Sequence, residues 1–454
     1  MEKYDAIIIG FGKGGKTLAG KLAGLGQKVA MIEKDAGMYG GTCINVGCIP
    51  SKSLVRSSGM AYLKQEKTAE EKAALYKEAI EEKRRLTSML RGKNYHKLAD
   101  LDNVTVYNGT ASFLSSKKVE VKTENETLVL EGDKIFINTG GTPIIPPIEG
   151  IKGNSYVYTS AGLMDLDTFP KRLVIIGGGY IGLEFASMYS GFGSEVTVLQ
   201  DGELLIPRED RDVADAIQKA LEDRGVTFKL GAKIHAVEQA DGYARVKLTW
   251  NQEEEILSAD AVLAATGRKA NTEGLDAEKA GVELDRRGAV VVDDNLKTTA
   301  DNIWAMGDVH GGLQFTYVSL DDFRIIWSQM NGGNYSLSGR KAVPYSVFIS
   351  PSFSRVGLSE TEARKAGYPV KIANLPAAAI PKAQVLKNPT GMLKAVIHEE
   401  TGQILGAMLL CEESYEMINI IKLAMDMGAP YQVLRDQIFT HPTMSEALND
   451  LFAV

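Results

Sequence analysis

Two cysteines, Cys43 and Cys48, are separated by four residues in the run Gly40–Lys52 (Gly-Gly-Thr-Cys-Ile-Asn-Val-Gly-Cys-Ile-Pro-Ser-Lys), and the 454-residue chain has only one other, Cys411. Thiols this close either exchange electrons as a dithiol and disulfide or ligate a metal. A zinc site would need a second Cys or His pair nearby, and the five histidines, His96, His235, His310, His398 and His441, are scattered. The pair reads as catalytic. Pro50 should bring the chain into a helix, whose first N–H groups and dipole favour an anionic sulfur at Cys48. Cys411, in the apolar run Ala407–Cys411, reads as a buried small apolar residue.

Electrons must reach this pair, and the elements before it suggest how. Tyr4–Gly10 is an isoleucine-rich run suited to a buried parallel strand. Gly10, Gly12 and Gly15 follow, then a helix over Lys16–Leu25 and a strand over Lys28–Ile32 that ends at Glu33. Glycines there let backbone N–H groups approach a pyrophosphate, and the acid can bind a ribose hydroxyl. Lys13, inside the loop, reads equally as a phosphate contact or a solvated side chain. The pattern returns in the strand Arg172–Ile176, the glycines Gly177, Gly179 and Gly182, and the strand Glu195–Leu199. There Gln200-Asp201 occupies the place of the ribose-binding acid. Two such units in one chain mean two dinucleotides, most simply explained by electrons passing from one to the other.

The remaining pattern supplies scaffold. Length suggests about three domains. A formal charge of −7, with 24% charged and 44% hydrophobic residues and 46 glycines, is ordinary for an α/β protein. It opposes the basic footprint of a nucleic-acid binder. No apolar run approaches the roughly 18 residues needed to span a bilayer, and the N-terminus lacks a signal-peptide pattern. A cytoplasmic location is expected, with no membrane or nucleic-acid partner. Ala61–Asp100 predicts one or two long helices with a solvated charged face and no chemistry. Strands near Val104–Tyr107, Lys118–Lys122 and Thr127–Leu130 predict a small antiparallel excursion. The Pro/Gly-rich stretch after Phe136 predicts a boundary near residue 145, and Arg208–Asp212 reads as a solvated charged loop. Ile303–Ala305 should be a strand delivering Asp308 at its carboxyl end. The last block should hold strands near Tyr345–Ile349, Val370–Ala373, Leu393–His398 and Gln403–Leu410, with helices over Tyr415–Met427 and Tyr431–Gln437.

The two glycine fingerprints, the cysteine run between them, and His-Pro-Thr-Met-Ser-Glu at His441–Glu446 together resemble the pyridine nucleotide-disulfide oxidoreductases. The likeness covers essentially the whole chain. It implies an α/β enzyme with two Rossmann-like dinucleotide-binding domains, for FAD and NAD(P), and a C-terminal α+β dimerisation domain. The expected divisions are 1–145 (FAD), 146–270 (NAD(P)), 271–339 (FAD, second part) and 340–454 (interface). The cofactors implied are FAD and NADH or NADPH, in a homodimer whose active site is shared between subunits.

Carried over residue by residue, the resemblance makes Cys48 the thiol facing the flavin and Cys43 the interchange thiol. Lys52 and Glu184 become the pair beside the flavin, Tyr180 the gate over the nicotinamide pocket, and His441 with Glu446 an acid–base dyad lent to the partner's cysteines. Glu33, Thr139 and Asp308 fall at FAD contacts, and Gly177, Gly179, Gly182 and Gly267 at nicotinamide-nucleotide contacts. Gly10, Gly12, Gly15, Gly41, Thr42, Lys52, Ala111, Gly140, Arg268, Tyr180, Ile181 and Gln200 complete the cofactor set. Gly10–Thr17, Gly311–Tyr317, Ser319–Asp322 and Arg435–Pro442 are similar to the reactive-chlorine-resistance branch of the family. That branch comprises bacterial defence enzymes associated with reducing hypothiocyanous acid and Cu(II). No resident metal is implied, only transient Cu(II) at Cys43 and Cys48. The alternative is dihydrolipoyl dehydrogenase or another small-disulfide reductase, which Tyr180 and Gln200 disfavour.

Overall fold

The computed structural model describes residues 2–64 and 67–454. Residues 65 and 66 of the expected helical stretch 61–100 lie outside the described residues. The chain forms two compact units. The first comprises the chain up to Ser53, Ile80–Ile144 and Gly267–Arg340, and the second Leu54–Ala79, Ile145–Thr266 and Lys341–Val454.

The first unit is built on a sheet ordered Val104–Asn108, Val29–Glu33, Glu2–Ile9, Thr127–Ile137, Lys118–Lys122, Thr110–Ser115, with Ile303–Ala305 also pairing with Thr127–Ile137. The unbroken apolar run of the first strand follows from burial on both faces. Ile7 and Ile9 join one core cluster, whereas Ala6 and Ile8 join another on the opposite face with Leu18, Leu22, Ile325 and Ile326. Thr127–Ile137 does double duty: Thr127–Glu131 runs antiparallel to Lys118–Lys122, while Ile135–Ile137 is parallel to Ile303–Ala305. Val104–Asn108 is a correction to the sequence reading. It pairs parallel with Val29–Glu33 at the sheet edge and is not part of the antiparallel excursion. Its partial exposure gives the mixed pattern that read as a two-faced strand.

In the second unit, Val226–Lys229, Glu195–Leu199, Arg172–Ile176, Ala261–Ala264 and Val157–Tyr158 form a parallel sheet in that order. Lys233–Gln239, Ala244–Trp250 and Glu253–Ala259 form an antiparallel sheet that the sequence reading missed. The C-terminal block is an antiparallel sheet ordered Tyr345–Val347, Phe353–Gly357, Ile404–Leu410, Met392–His398, Val370–Pro376. The Ser414–Asp426 helix packs Met417, Ile418 and Ile421 into the same core as Ala407 and Leu409. Among the described residues, no helix is long and apolar enough to cross a membrane.

Arg208–Asp212 is not a solvated loop. Glu209 and Asp210 are 5% and 4% exposed, and each is held by the C-terminal block. Glu209 pairs with Arg355 at 3.1 Å. Asp210 accepts the Glu360 and Thr361 N–H groups at 2.9 and 3.1 Å and pairs with buried Lys394 at 3.2 Å. Burial opposes the Asp210 charge, but the Thr361 hydroxyl, these N–H groups and Lys394 together bring its pKa down to about 2. A charge run in sequence does not reveal partners about 150 residues away, and here those partners decide its fate.

Candidate active site

Cys43 lies in a short helical turn, Thr42–Asn45, and Cys48 is the first residue of the helix Cys48–Leu63. The dipole expectation for Cys48 thus takes its strongest form, with no acidic residue in the helix's first turn to oppose it. Cys43 is half-buried and Cys48 exposed. The Thr316 hydroxyl stands 3.6 Å from the Cys48 sulfur, at the start of the Thr316–Met330 helix. Cys43 is pushed well above the ordinary thiol range, first by its hydrogen bond to Cys48 and then by burial.

Asn45 clasps the stretch. Its Nδ2 donates to the carbonyls of Tyr39 and Gly41 at 2.9 and 3.0 Å, and its Oδ1 accepts from Arg91 Nε at 2.9 Å. The charged helix Ala69–Ala99, expected to carry no chemistry, thereby supplies Arg91 to the cysteine run. Gly41 (φ +79°) is forced by close approach, since a Cβ there would lie 2.8 Å from Gly12 Cα.

The first glycine loop leads into the helix Lys13–Ala23, whose N-cap Gly12 offers no side-chain cap and whose first turn holds no acid. Asn138, which the sequence reading passed over, fastens this loop. Its Oδ1 accepts the Gly15 N–H at 2.9 Å and its Nδ2 donates to the Met306 carbonyl at 2.7 Å. A Cβ on Gly10 or Gly12 would meet Asn138 oxygens at 2.3 and 2.4 Å. The available signal was its position at the end of the strand beside the loop. Glu33 accepts the Phe11 N–H at 3.0 Å and the Asp35 N–H at 3.3 Å, and burial pushes its pKa up.

Across the sheet ends, the Thr139 hydroxyl donates to the Asn271 carbonyl at 2.7 Å, and Arg268 donates to the Gly141 carbonyl at 2.6 Å. Burial pushes the Asp308 carboxyl up and the Arg268 guanidinium down, while each opposes the other's shift. His310 pairs with buried Asp322 at 3.1 Å, and Asp322 also accepts the Gly307 N–H at 2.7 Å, which fixes the peptide before Asp308. A Cβ on Gly140 (φ +72°) would meet nothing within 4 Å. Open space there, uncapped helix donors and a ribose-ready acid together fit a dinucleotide such as FAD. Ala111 is a packing residue in the apolar cluster with Phe113 and Val121.

The second unit repeats the device. Gly179 caps the helix Tyr180–Phe192 without a side-chain bond, and a Cβ on it would meet nothing within 4 Å. Gly182 must lack a side chain, because a Cβ would lie 2.1 Å from the Gly177 carbonyl oxygen. Gln200 Oε1 accepts the Gly178 N–H at 2.8 Å, as Glu33 accepts that of Phe11. Ile181 is exposed at 37%. Gly267 (φ +109°) falls in the first unit, after the strand Ala261–Ala264 that precedes it in chain order.

Tyr180 donates its hydroxyl to Glu209, which also accepts from the Tyr345 hydroxyl at 2.5 Å. Burial first, then the Glu209 charge, raises the Tyr180 phenol. Glu184 accepts the Phe348 N–H at 2.9 Å. Lys52 lies in the first unit, four residues along the helix from Cys48. His441 Nδ1 lies 2.8 Å from Glu446 Oε2, with the imidazole 71% exposed and the carboxylate 19%. Cys411 is fully buried against Met417, and burial pushes its pKa up to about 12. Among the described residues, no cluster of three or more His, Cys, Asp or Glu could hold a metal.

Residues 4–322 match the pyridine nucleotide-disulphide oxidoreductases, and residues 343–452 match the dimerisation domain of that family. The chain belongs to this family: it is an FAD- and NAD(P)H-dependent flavoprotein disulfide reductase-type oxidoreductase that forms a homodimer. It is 50% identical over 455 residues, all of both chains, to the probable pyridine nucleotide-disulfide oxidoreductase RclA of Escherichia coli (strain K12). A mercuric reductase of Lysinibacillus sphaericus is 35% identical over 98% of this chain and 82% of its own length. Among solved structures, the HOCl-induced flavoprotein disulfide reductase RclA from Escherichia coli superposes with a TM-score of 0.93 at 49% identity, covering 99% of this chain and 100% of that one. Its Cu(II) complex gives 0.94, also at 49% identity, over 100% and 99%.

Proposed function

We propose that this enzyme uses Cys43 and Cys48 to reduce a small oxidant, hypothiocyanous acid or Cu(II), in bacterial oxidative-stress defence. The observation that carries the reading is the placement of the two thiols: Cys48 is the first residue of a helix with the Thr316 hydroxyl 3.6 Å from its sulfur, and Cys43 lies in the short turn just before it. The Cu(II) complex of the similar Escherichia coli protein supports a metal-ion oxidant.

Bound FAD supplies the pair with two electrons drawn from NAD(P)H. The chain's residues do the rest. Gly10, Gly12, Gly15, Gly41, Thr42, Glu33, Thr139, Gly140, Arg268 and Asp308 hold FAD, with Ala111 beside them. Gly177, Gly179, Ile181, Gly182, Gln200 and Gly267 hold the nicotinamide nucleotide, with Tyr180 as gate and Lys52 and Glu184 beside the flavin. Cys43 attacks the sulfur of hypothiocyanous acid, giving Cys43–S–SCN and water. Cys48 then attacks the Cys43 sulfur, forming the disulfide and releasing thiocyanate. The two electrons lost by the dithiol are those gained by the oxidant. His441, oriented by Glu446, exchanges the proton at the partner subunit's Cys43. With Cu(II), the dithiol binds the ion as substrate and passes electrons singly.

The four-part division at residues 145, 270 and 339 and a cytoplasmic location belong to the same reading. A steady-state panel tests it. With NADH or NADPH, kcat/KM should be highest for hypothiocyanous acid or Cu(II), and Cys43→Ser should abolish turnover while flavin stays bound. Fast turnover of lipoamide or glutathione disulfide would instead select the small-disulfide alternative.

A further inference from the structure

Lys16 and its neighbour Lys13 give the first glycine loop two cations. Lys16 lies in the first turns of the Lys13–Ala23 helix, yet its ammonium reaches away to the cysteine run. It donates to the Gly40 carbonyl at 3.3 Å and to Asn94 Oδ1 at 2.5 Å. Gly40 precedes Cys43 by three residues. A Cβ on Gly40 would meet Ile44 Cγ1 at 2.9 Å and Asn94 Cγ at 3.2 Å, so Lys16, Asn94 and the turn bearing Cys43 form one packed group.

We propose that Lys16, held by Asn94 and the Gly40 carbonyl, forms an anion subsite beside Cys43 that receives a small monovalent anion, the ionised oxidant or the pseudohalide it releases. The inference deepens the dithiol reading above and rests on it for the order of steps. Both hydrogen-bond partners of Lys16 are neutral oxygens, and among the described residues no carboxylate pairs with it. A half-buried ammonium without an anion is costly. Burial, then Lys13 on its own helix, and Lys97 on the Ala69–Ala99 helix bring its pKa down to about 8, while the Cys43 sulfur alone pulls it back up. In turn, Lys16 lowers the pKa of Cys43 against the larger opposing effects of Cys48 and burial. Set among these neighbours, the cation would favour negative charge at and around the attacking sulfur.

In the sequence of steps, Cys43 attacks sulfur as the S–OH bond breaks, and hydroxide leaves as water with a proton from the dyad. When Cys48 displaces thiocyanate, the bonding pair departs with that anion, and Lys16 stabilises it as it leaves.

The test uses FAD-loaded enzyme carrying Cys48→Ser, in which Cys43 is the accessible thiol and Cys411 is fully buried. Alkylation rates are compared for iodoacetate, an anion, and iodoacetamide, a neutral reagent of similar size. The iodoacetate-to-iodoacetamide ratio should fall at least tenfold in Lys16→Met and recover in Lys16→Arg. In the parent, the ratio should fall as pH rises through about 8, since Lys16 then loses its charge. Cys43 ionisation affects both reagents alike and cancels in the ratio. Millimolar sodium thiocyanate should slow iodoacetate in the parent and not in Lys16→Met. An unchanged ratio in Lys16→Met, or in Lys16→Gln should the first variant not fold, overturns the subsite. So does loss of flavin from either folded variant, which would place the charge on the cofactor. Absence of hypothiocyanous acid turnover with the ratio intact would overturn the oxidant and leave the subsite standing.

Discussion

The hydroxyl of Tyr180, at the start of the second dinucleotide helix, is hydrogen-bonded to the buried carboxylate of Glu209, whose other oxygen pairs with Arg355 at 3.1 Å. A residue expected to move over a bound nicotinamide is thus moored to an ion pair in the protein interior. Tyr345 shares the mooring through its own hydroxyl.

Glu209→Gln should leave the Arg355 charge short of its buried partner. A loss of about 3 kcal/mol is expected for a broken buried pair, seen as a lowered melting temperature. Tyr180→Phe keeps the ring and the ion pair, so its melting temperature should stay closer to the parent. Its rate of flavin reduction by NAD(P)H should change. Equal melting temperatures for parent and Glu209→Gln would refute the mooring.

Thr316→Val removes the hydroxyl that stands 3.6 Å from the Cys48 sulfur. A hydrogen bond to a charged group contributes about 1.5 kcal/mol or more, which corresponds to about one pH unit. In the two-electron-reduced enzyme, the pH midpoint of the long-wavelength thiolate–flavin absorbance should therefore rise by about one unit. A midpoint that stays put would show that the helix N-terminus alone holds the thiolate.

Acid stability should report Asp210. Its folded pKa, about 2, lies below the ordinary value of 3.8. Its contribution is therefore fully present above about pH 4 and is lost as pH falls toward 2, and at about 1.4 kcal/mol per unit it amounts to roughly 2 kcal/mol. Asp210→Asn should flatten the acid limb of the stability–pH curve between those values. An acid limb identical to the parent's would contradict the assignment.

His441→Ala and Glu446→Gln should lower kcat/KM for the oxidant, by about 100-fold or more for the histidine. Stopped-flow reduction of the flavin by NAD(P)H should be unaffected in both, because the dyad serves the dithiol half-reaction. A slowed first half-reaction would place the dyad elsewhere.

Local pattern determined a great deal. The glycine spacing needs no partner to be read, because positive φ and close backbone approach are properties of the residue itself. The strand Arg172–Ile176 could be bounded correctly because burial on both faces leaves the unbroken apolar run Leu173–Ile176. The cysteine run and the His441–Glu446 motif are likewise short in sequence, and the 2.8 Å contact between His441 and Glu446 spans five residues.

Tertiary structure decided what depends on distant partners. Asn138 carries no motif, yet it fixes Gly15 across 123 residues of chain. Thr316 reaches Cys48 across 268 residues. Arg208–Asp212 looked solvated because charge is normally exposed, and only Arg355, Lys394 and Thr361 make its burial affordable. The sequence could name the two thiols, because their reactivity is written in their type and spacing. What surrounds each sulfur was decided only by tertiary structure: a helix begins at Cys48, Thr316 stands 3.6 Å from it, and Lys16 reaches Gly40 in the run that bears Cys43, and a sulfur's ionisation depends on the field that folding assembles around it.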